Sequence, residues 1–197
     1  MKNLFKKSVL GLLLLTATLA SANVNFKNVK IFSENSKSLN LQLNNNDGES
    51  EIFIKDKYGI QLYNEQFNGK QFSKKFDLAL LPDGEYIVEI EGQTKIRVLP
   101  FNVSGSKVEV LENSKVLIYK PIIRVEGDLV YISKFSSMNE NLKIAFFDAD
   151  NNLLLEDKLD NKMVTGKIFN IRLLPKGNYK VTAKYDSYRT TVHEIVR

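Results

Sequence analysis

A nine-residue stretch occurs twice in this sequence, and the repetition constrains the fold more than any other feature. Leu80–Val88 reads LLPDGEYIV, and Leu173–Val181, which starts 93 positions later, reads LLPKGNYKV. In each stretch a proline and a glycine indicate a turn, a tyrosine follows the glycine by two residues, and alternating apolar residues predict a strand. Self-similarity at a fixed spacing is typical of a structural repeat. We therefore expect one unit to occur twice.

The duplication extends well beyond these two stretches. Ile52–Asp56 matches Ile144–Asp148 at an offset of 92, and Leu129–Ile132 takes the place of Leu39–Leu43. One inserted residue further along changes the offset to 93. Because strands and turns recur in the same order, the sequence predicts two like domains.

The apolar pattern indicates the fold class. Nearly every apolar run is short, alternates with polar residues and is rich in Val, Ile, Phe, Tyr and Thr, which predicts an all-β protein. About seven short strands per repeat, with frequent turn signals, predict two tandem immunoglobulin-like (Greek-key) β-sandwich domains that arise from the internal repeat. Within the first repeat, Asn68–Gly69 is a signal for a β-hairpin.

The segment between the repeats sets the domain boundary. Ser104–Ser106 reads Ser-Gly-Ser, which by itself suggests a flexible linker. Two strand-like runs follow, at Val108–Leu111 and Val116–Tyr119, and they favour a last strand and a short ordered connection instead. We therefore expect the domains at residues 23–119 and 120–197.

The repeated turn resembles the tyrosine corner of Greek-key sandwiches, in which the tyrosine hydroxyl bonds to a backbone group a few residues upstream. The prolines restrict φ, and the glycines can supply the positive φ of a sharp turn. This interpretation assigns a structural role to six residues: Pro82, Gly84, Tyr86, Pro175, Gly177 and Tyr179.

Residues 1–22 have the pattern of a cleavable secretory signal peptide, with lysines first, an apolar run next and small residues at Ala20–Ala22. The apolar part, Ser8–Ala22, has 15 residues, whereas a membrane span needs about 20. The sequence contains no Cys, which excludes a lipid-modified cysteine anchor and disulfides. We expect a secreted or periplasmic protein with no membrane span after signal cleavage.

Signal cleavage also changes the charge. The full sequence carries a formal net charge of +5 at pH 7, and loss of Lys2, Lys6 and Lys7 lowers it to +2. The remaining lysines are interspersed with Asp and Glu. Nucleic acid is therefore not an expected partner.

No group of residues predicts catalysis or metal binding. His193 is the only histidine, and a catalytic or metal-binding histidine needs partners placed around it in a pocket. Asp148–Asn152 offers oxygen ligands at alternate positions, but Leu153 and Leu159 occupy the glycine and glutamate positions of a calcium loop. We interpret this stretch as a turn equivalent to Asp56–Gly59. We expect no catalytic residue, no metal ligand and no cofactor.

Tyr185 and Tyr188, with Tyr179 nearby, form the aromatic cluster that could stack on a sugar or a peptide. Packing in the core or on an edge strand is the default role for tyrosines in such strands, and the absence of Trp weighs against a carbohydrate ligand. Beside that default, Tyr185 and Tyr188 are the candidate ligand contacts.

In both repeats an apolar strand ending in Asp, a turn with Gly or Asn, a second apolar strand and a Leu-x-x-Gly-x-Tyr corner follow one another. This order resembles the small immunoglobulin/fibronectin type III-like sandwich domains of secreted bacterial proteins. It is similar in particular to the C-terminal sorting domain of the type IX secretion system and to short two-domain bacterial proteins described as adhesins. The second repeat, Ile123 to Arg197, is the better match. The resemblance implies a sandwich fold and a role in adhesion or in export.

The sequence thus predicts a secreted or periplasmic, non-catalytic protein that acts as a structural, adhesion or protein-interaction module. One alternative is an export cargo whose C-terminal domain is a secretion sorting signal, and a second is a carbohydrate- or peptide-binding module. A protein partner would bind through edge strands or loops, because open sandwiches keep unpaired edges. The oligomeric state does not follow from the sequence.

Overall fold

The computed structural model describes residues 28–34, 36–46, 48–135, 140–185 and 190–197, with only the backbone at residue 190. The predicted signal peptide, residues 1–22, lies outside these ranges. The chain divides into two compact units, of which the first ends at Ile118 and the second runs from Tyr119 to Arg197. Apart from a 3₁₀ turn at Glu112–Ser114, the regular structure of the described residues is all strand.

The first unit contains nine described strands in two sheets. They are β1 (Val29–Phe32), β2 (Ser38–Asn44), β3 (Glu49–Asp56), β4 (Gln61–Asn68), β5 (Gln71–Asp77), β6 (Gly84–Glu91), β7 (Lys95–Ser104), β8 (Lys107–Val110) and β9 (Val116–Tyr119), at whose last residue the second unit begins. The smaller sheet has the order β1-β2-β5. The larger sheet has the order β4-β3-β6-β7-β8, and β9 also pairs with β7.

The second unit contains seven described strands, also in two sheets. They are β10 (Ile122–Glu126), β11 (Leu129–Phe135), β12 (Leu142–Phe147), β13 (Leu153–Leu159), β14 (Val164–Asn170), β15 (Asn178–Tyr185) and β16 (Thr190–Val196). The smaller sheet has the order β10-β11-β14, and the larger sheet has the order β13-β12-β15-β16.

The two units therefore share one topology. Strands β10 to β16 repeat β1 to β7 in chain order and in sheet membership, and the pairings between these strands are antiparallel. The first unit differs by the addition of β8 and β9 beside β7. The predicted all-β fold of two tandem immunoglobulin-like sandwiches is confirmed.

Each unit has its own core between its sheets, built from alternate strand residues that point inward. Burial of one such aliphatic or aromatic side chain contributes about 1.5–3 kcal/mol. Fully buried members of the two cores are Leu39, Leu41, Val88, Ile90, Phe101, Ile132, Ile144, Phe146 and Val181.

Two turns differ from their local sequence signals. Asn68–Gly69 was predicted to close a β-hairpin, and this was wrong, because β4 pairs with β3 whereas β5 pairs with β2 in the other sheet. The turn thus carries the chain from one sheet to the other. By contrast, Ser104 pairs with Lys107 across a tight turn in which Gly105 has a φ of 57°. The Ser-Gly-Ser segment therefore joins two paired strands and is not a linker.

An ion pair connects the two sheets on the same side of each sandwich. In the first unit, Lys74 on β5 donates to the carboxylate of Glu65 on β4 at 2.7 Å. In the second unit, Lys167 on β14 pairs with Asp157 on β13, and these positions are equivalent in the repeat. The hydrogen bond from Lys74 holds the pKa of Glu65 below its ordinary value. Each pair links strands of different sheets through side chains.

Candidate interaction surface

Each repeated tyrosine lies on a central strand and hydrogen-bonds to a proline four residues earlier. The Tyr86 hydroxyl donates to the carbonyl oxygen of Pro82 at 2.8 Å, and the Tyr179 hydroxyl donates to that of Pro175 at 2.7 Å. Both tyrosines are 7% exposed and belong to the cores of their units. The Tyr86 ring also stacks on Phe101, with 5.6 Å between ring centroids. Core packing thus holds each hydroxyl where it can donate a hydrogen bond to the proline carbonyl oxygen of the turn.

Replacing Tyr86 with Phe is expected to lower the free energy of unfolding of the first unit by about 1 kcal/mol or somewhat more, because the Pro82 carbonyl loses a partly buried donor. Tyr179→Phe should have the same effect on the second unit. Urea titration followed by circular dichroism measures both changes. Tyr58→Phe is the control, since Tyr58 is 78% exposed. Unchanged stability in Tyr86→Phe would contradict a stabilising role for the corner.

The two corner glycines differ in backbone conformation. Gly84 has a φ of 155°, at the limit of the region that favours glycine. Gly177 does not belong to the positive-φ residues of the described chain, so the prediction of a positive φ at Gly177 was wrong. Gly177 instead exchanges two backbone hydrogen bonds of 3.0 Å with Arg197. These bonds extend the ladder between β15 and β16.

A charge difference beside the corners has a structural cause. Asp83 accepts hydrogen bonds from the backbone N–H of Gly105 with both carboxylate oxygens, at 2.9 and 3.0 Å. Gly105 lies in the turn that leads from β7 into β8. In the second unit Lys176 occupies the position of Asp83, and the described strands there end with β16. The acidic residue therefore supports a turn that belongs to the first unit.

Arg197 anchors the end of β16 to its own unit. The guanidinium donates to the carboxylate of Asp128 at 3.2 Å and to the backbone carbonyl oxygens of Leu174 and Arg172. The carbonyl acceptors lie beside the second tyrosine corner. The β16 strand is therefore held by its pairing with β15 and also at its end.

Burial removes Tyr185 from the candidate ligand contacts. The residue ends β15, belongs to the core of the second unit and is 2% exposed. A ring in this position offers no face on which a sugar or peptide could stack. Tyr188 lies outside the described residues. The third tyrosine, Tyr179, is the corner residue.

The second unit buries a lysine that sequence reasoning missed. Lys134 on β11 is 2% exposed, and its ammonium donates to the backbone carbonyl of Glu140 at 2.5 Å. The ammonium also lies 5.8 Å from the centroid of the Tyr185 ring. Burial lowers the pKa of Lys134, and the charges of Glu140 and Asp160 oppose that effect. An alignment of the two repeats could have indicated this burial. The pairing of β11 with β14 matches that of β2 with β5, and it makes Lys134 equivalent to the core residue Leu43.

Asp148 organises a turn, as Asp56 does in the first unit. The Asp148 carboxylate accepts hydrogen bonds from the backbone N–H groups of Asp150 and Asn152, at 2.9 and 2.8 Å. The Asp56 carboxylate accepts hydrogen bonds from the backbone N–H groups of Tyr58 and Ile60, both at 2.9 Å. Hydrogen bonds from Asn152 hold the pKa of Asp148 below its ordinary value. The carboxylate is thus engaged by the turn that it stabilises.

A metal site and a membrane-spanning helix are absent from the described ranges. There, no three His, Cys, Asp or Glu side chains are grouped so that they could hold a metal ion. Nor does that part of the chain contain a helix long and apolar enough to cross a membrane. His193 is half-buried on β16.

In the first unit the outer edge of β7 is covered. Strand β8 pairs with the C-terminal part of β7, and β9 pairs with β7 as well. Between them, the backbone N–H of Leu111 donates to the carbonyl of Pro100 at 2.9 Å. Pro100 has no N–H to offer to another strand. Beside it, Leu99 is fully buried and Val98 is half-buried.

The tyrosine corners show which residues of β16 correspond to this stretch. Tyr86 lies opposite Phe101, and Tyr179 lies opposite Ile195. Ile195 is therefore equivalent to Phe101, and Glu194 is equivalent to Pro100. By the same register His193 is equivalent to the buried Leu99, and Val192 is equivalent to Val98.

In the second unit β16 is the last strand of its sheet, and no described strand pairs with its outer edge. Gly177 and Arg197 exchange two hydrogen bonds, and such bonded pairs recur at every second residue of an antiparallel ladder. The backbone N–H and C=O groups of Val192, Glu194 and Val196 therefore point away from β15. The side chains of Val192 and Val196 are 52% and 82% exposed. This outer side of β16, the β16 edge, is the candidate interaction surface.

Comparison with known proteins gives a likeness at the level of structure only. No family model and no curated protein matches the chain. Similar solved structures include a biofilm-associated protein BSP domain, with 18% identity over 82% of this chain and 27% of that one and a TM-score of 0.27. A second is the structure of domains NIE-MG1 of alpha-2-macroglobulin from Escherichia coli, with 10% identity over 84% of this chain and 91% of that one and a TM-score of 0.28. A third is the structure of the FN1-FN3 domains of chicken CNTN1, with 12% identity over 82% of this chain and 60% of that one and a TM-score of 0.29.

This chain thus spans about a quarter of the length of the biofilm-associated chain. Likenesses at these TM-scores carry no argument about function. The fold assignment rests on the strand order and register given above.

Proposed function

We propose that this protein is exported from the cytoplasm and acts as a non-catalytic structural or protein-interaction module, with the β16 edge as its binding surface. The observation that supports the proposal is a difference between two otherwise equivalent units. They share seven strands in the same order and the same tyrosine corner. In the first unit β8 and β9 cover the outer edge of β7, the last shared strand. In the second unit the equivalent strand is β16, and no described strand pairs with its outer edge.

The chemistry of the β16 edge suits the addition of an extended segment. In this mode of recognition the partner's backbone completes the hydrogen bonds of the edge strand, and alternate side chains supply specificity. Three residues of β16 direct backbone donors and acceptors outward, and two of them carry exposed valine side chains. The edge therefore combines directional hydrogen bonds with apolar surface.

Site-specific photo-crosslinking in producing cells tests this function. A photoreactive amino acid is placed at Glu194, or at Glu156 on β13, an exposed glutamate on the opposite edge of the same sheet. We expect the protein in the periplasm or the medium without residues 1–22, with protein adducts formed from position 194 and not from position 156. Retention in the cytoplasm, or the lack of adducts from position 194, would contradict the proposal.

A sorting role for the second unit is the alternative, and the resemblance of Ile123 to Arg197 to a secretion sorting domain favours it. Deleting residues 120–197 separates the two roles. If sorting is the function, the first unit should accumulate inside the cell. If the shortened chain reaches the medium as efficiently as the whole chain, the second unit is not a sorting signal.

A further inference from the structure

The β16 edge has few of the devices that keep edge strands of monomeric proteins apart. Such strands are usually short, or carry charged residues (Lys above all), Pro or a bulge that prevents pairing with another chain. The β16 sequence, TTVHEIV, contains no Lys and no Pro and has one charged residue, Glu194, and its ladder with β15 has no register shift. The equivalent strand in the first unit carries Pro100 and is covered by β8. Compared with its counterpart β7, β16 thus has neither a proline nor a described strand beside its outer edge.

We propose that β16 pairs in antiparallel fashion with β16 of a second copy of this chain. The two four-stranded sheets then join into one sheet of eight strands around a two-fold axis. This inference deepens the interaction role proposed above. It rests on that role only for the place in the cell where the dimer forms, because dimer formation itself is measured with the purified protein.

The charge on β16 selects one register. A two-fold axis at His193 pairs all seven residues of β16, with Val192 opposite Glu194 of the second copy. Moving the axis to Glu194 shortens the paired stretch and places two glutamates directly opposite each other, which is destabilising. Moving it to Val192 also shortens the paired stretch. The register centred on His193 is therefore favoured.

The same register satisfies the outward backbone groups. Val192 and Glu194 both direct their N–H and C=O groups away from β15, so the pair that they form across the axis can exchange two hydrogen bonds. Within its own sheet Glu194 lies opposite Lys180, a residue of opposite charge. On the inner side Ile195 meets Thr191 of the second copy. The rows on both faces are thus free of like-charge pairs.

The composition of β16 suits pairing with a second strand. Five of its seven residues are β-branched, a composition that packs well on a pleated surface against another strand. These five residues are Thr190, Thr191, Val192, Ile195 and Val196. A second copy supplies a strand of the same length and the same composition, so each β16 gains cross-strand neighbours along its whole length.

Sedimentation equilibrium of the exported chain tests the dimer. We expect the native protein to be in a concentration-dependent equilibrium between monomer and dimer. Glu194→Pro should weaken the dimer by about tenfold or more, since each copy loses an outward donor and the proline ring obstructs the approach of the other strand. The substitution spares the ladder with β15, and the first unit carries proline at this position. A native protein that stays monomeric at all concentrations, or a variant that dimerises equally well, would overturn the proposal.

Cysteine cross-linking tests the register and does not depend on how well the proline variant folds. The sequence contains no Cys, so a single introduced thiol can report on one position. His193→Cys should form a disulfide-linked dimer on oxidation, because directly opposed residues of a non-hydrogen-bonded pair have Cα atoms about 4.5 Å apart. Val196→Cys, although exposed, should not, since its counterpart is six residues away along the second strand. Equal cross-linking of both variants, or of neither, overturns the register and the dimer.

The two proposals can fail separately. A monomeric native protein that still forms adducts with another protein from position 194 would overturn the dimer and support the interaction role. A dimer in solution that is retained in the cytoplasm would support self-pairing and contradict the exported function.

Discussion

Replacing Phe101 with Ala is expected to lower the free energy of unfolding of the first unit by about 3–5 kcal/mol and to leave the second unit unchanged. Phe101 is fully buried, stacks on Tyr86 and belongs only to the core of the first unit. The lost stability therefore has two parts: the transfer free energy of the apolar ring and the cost of a cavity that the two sheets cannot fill. Hydrogen exchange read by mass spectrometry along a urea series measures the two units separately, because their peptides are distinct.

Phe146→Ala supplies the reciprocal variant. Phe146 is fully buried in the core of the second unit, so its loss should destabilise that unit by a similar amount and spare the first. Two independent transitions would support the division of the chain near Ile118. A single transition that shifts equally in both variants would show that the two cores unfold as one cooperative unit.

Replacing Lys134 with Leu is expected to raise the free energy of unfolding of the second unit at pH 7 by about 1–2 kcal/mol. The ammonium is buried in a core whose counterpart holds Leu43, and its hydrogen bond to the Glu140 carbonyl offsets only part of the cost of burying a charge. Urea titration of the native protein and the variant measures the difference. Lys158→Leu on β13 is the control, since Lys158 is exposed.

The same residue makes stability depend on pH. Burial lowers the pKa of Lys134 in the folded state below the ordinary value of 10.5. Between the two pKa values the unfolded chain binds more protons than the folded one, so stability rises with pH across that window. Below the folded pKa the full cost of the buried charge remains. The Leu variant should lose this rise, and a variant less stable than the native protein at pH 7 would contradict the account.

Local patterns predicted much of this fold because the deciding interactions lie close in the chain. The alternation of apolar residues located the strands, and the spacing of Pro82, Gly84 and Tyr86 indicated a corner that spans only a few residues. The same patterns failed where the outcome depends on distant partners. Asn68–Gly69 has the chemistry of a hairpin turn, yet the strand that follows pairs with β2 in the other sheet.

The candidate site was less predictable than the fold. Tyr185 belongs to an aromatic cluster in the sequence, and its place at the end of β15 buries it. Lys134 is hidden in the sequence because a lysine in an alternating strand is normally assigned to the solvent face, and only the register of β11 with β14 places it inward. Edge-strand binding was predicted in general, but only the strand order shows that β8 and β9 cover β7 while no described strand covers its counterpart β16.

The sequence by itself determined the duplication, the strand content and the corner residues, since these depend on periodicity and on contacts between near neighbours. The tertiary structure decided which strands share a sheet and that the outer edge of β7 is covered whereas no described strand covers that of β16. Leu99 and His193 occupy equivalent positions in nearly equivalent strands, and the first is fully buried while the second is half-buried. Beside β7 lie β8 and β9, whereas no described strand lies beside the outer edge of β16. Lateral pairing joins residues that are far apart in the chain, so no local pattern within β7 or β16 carries that information.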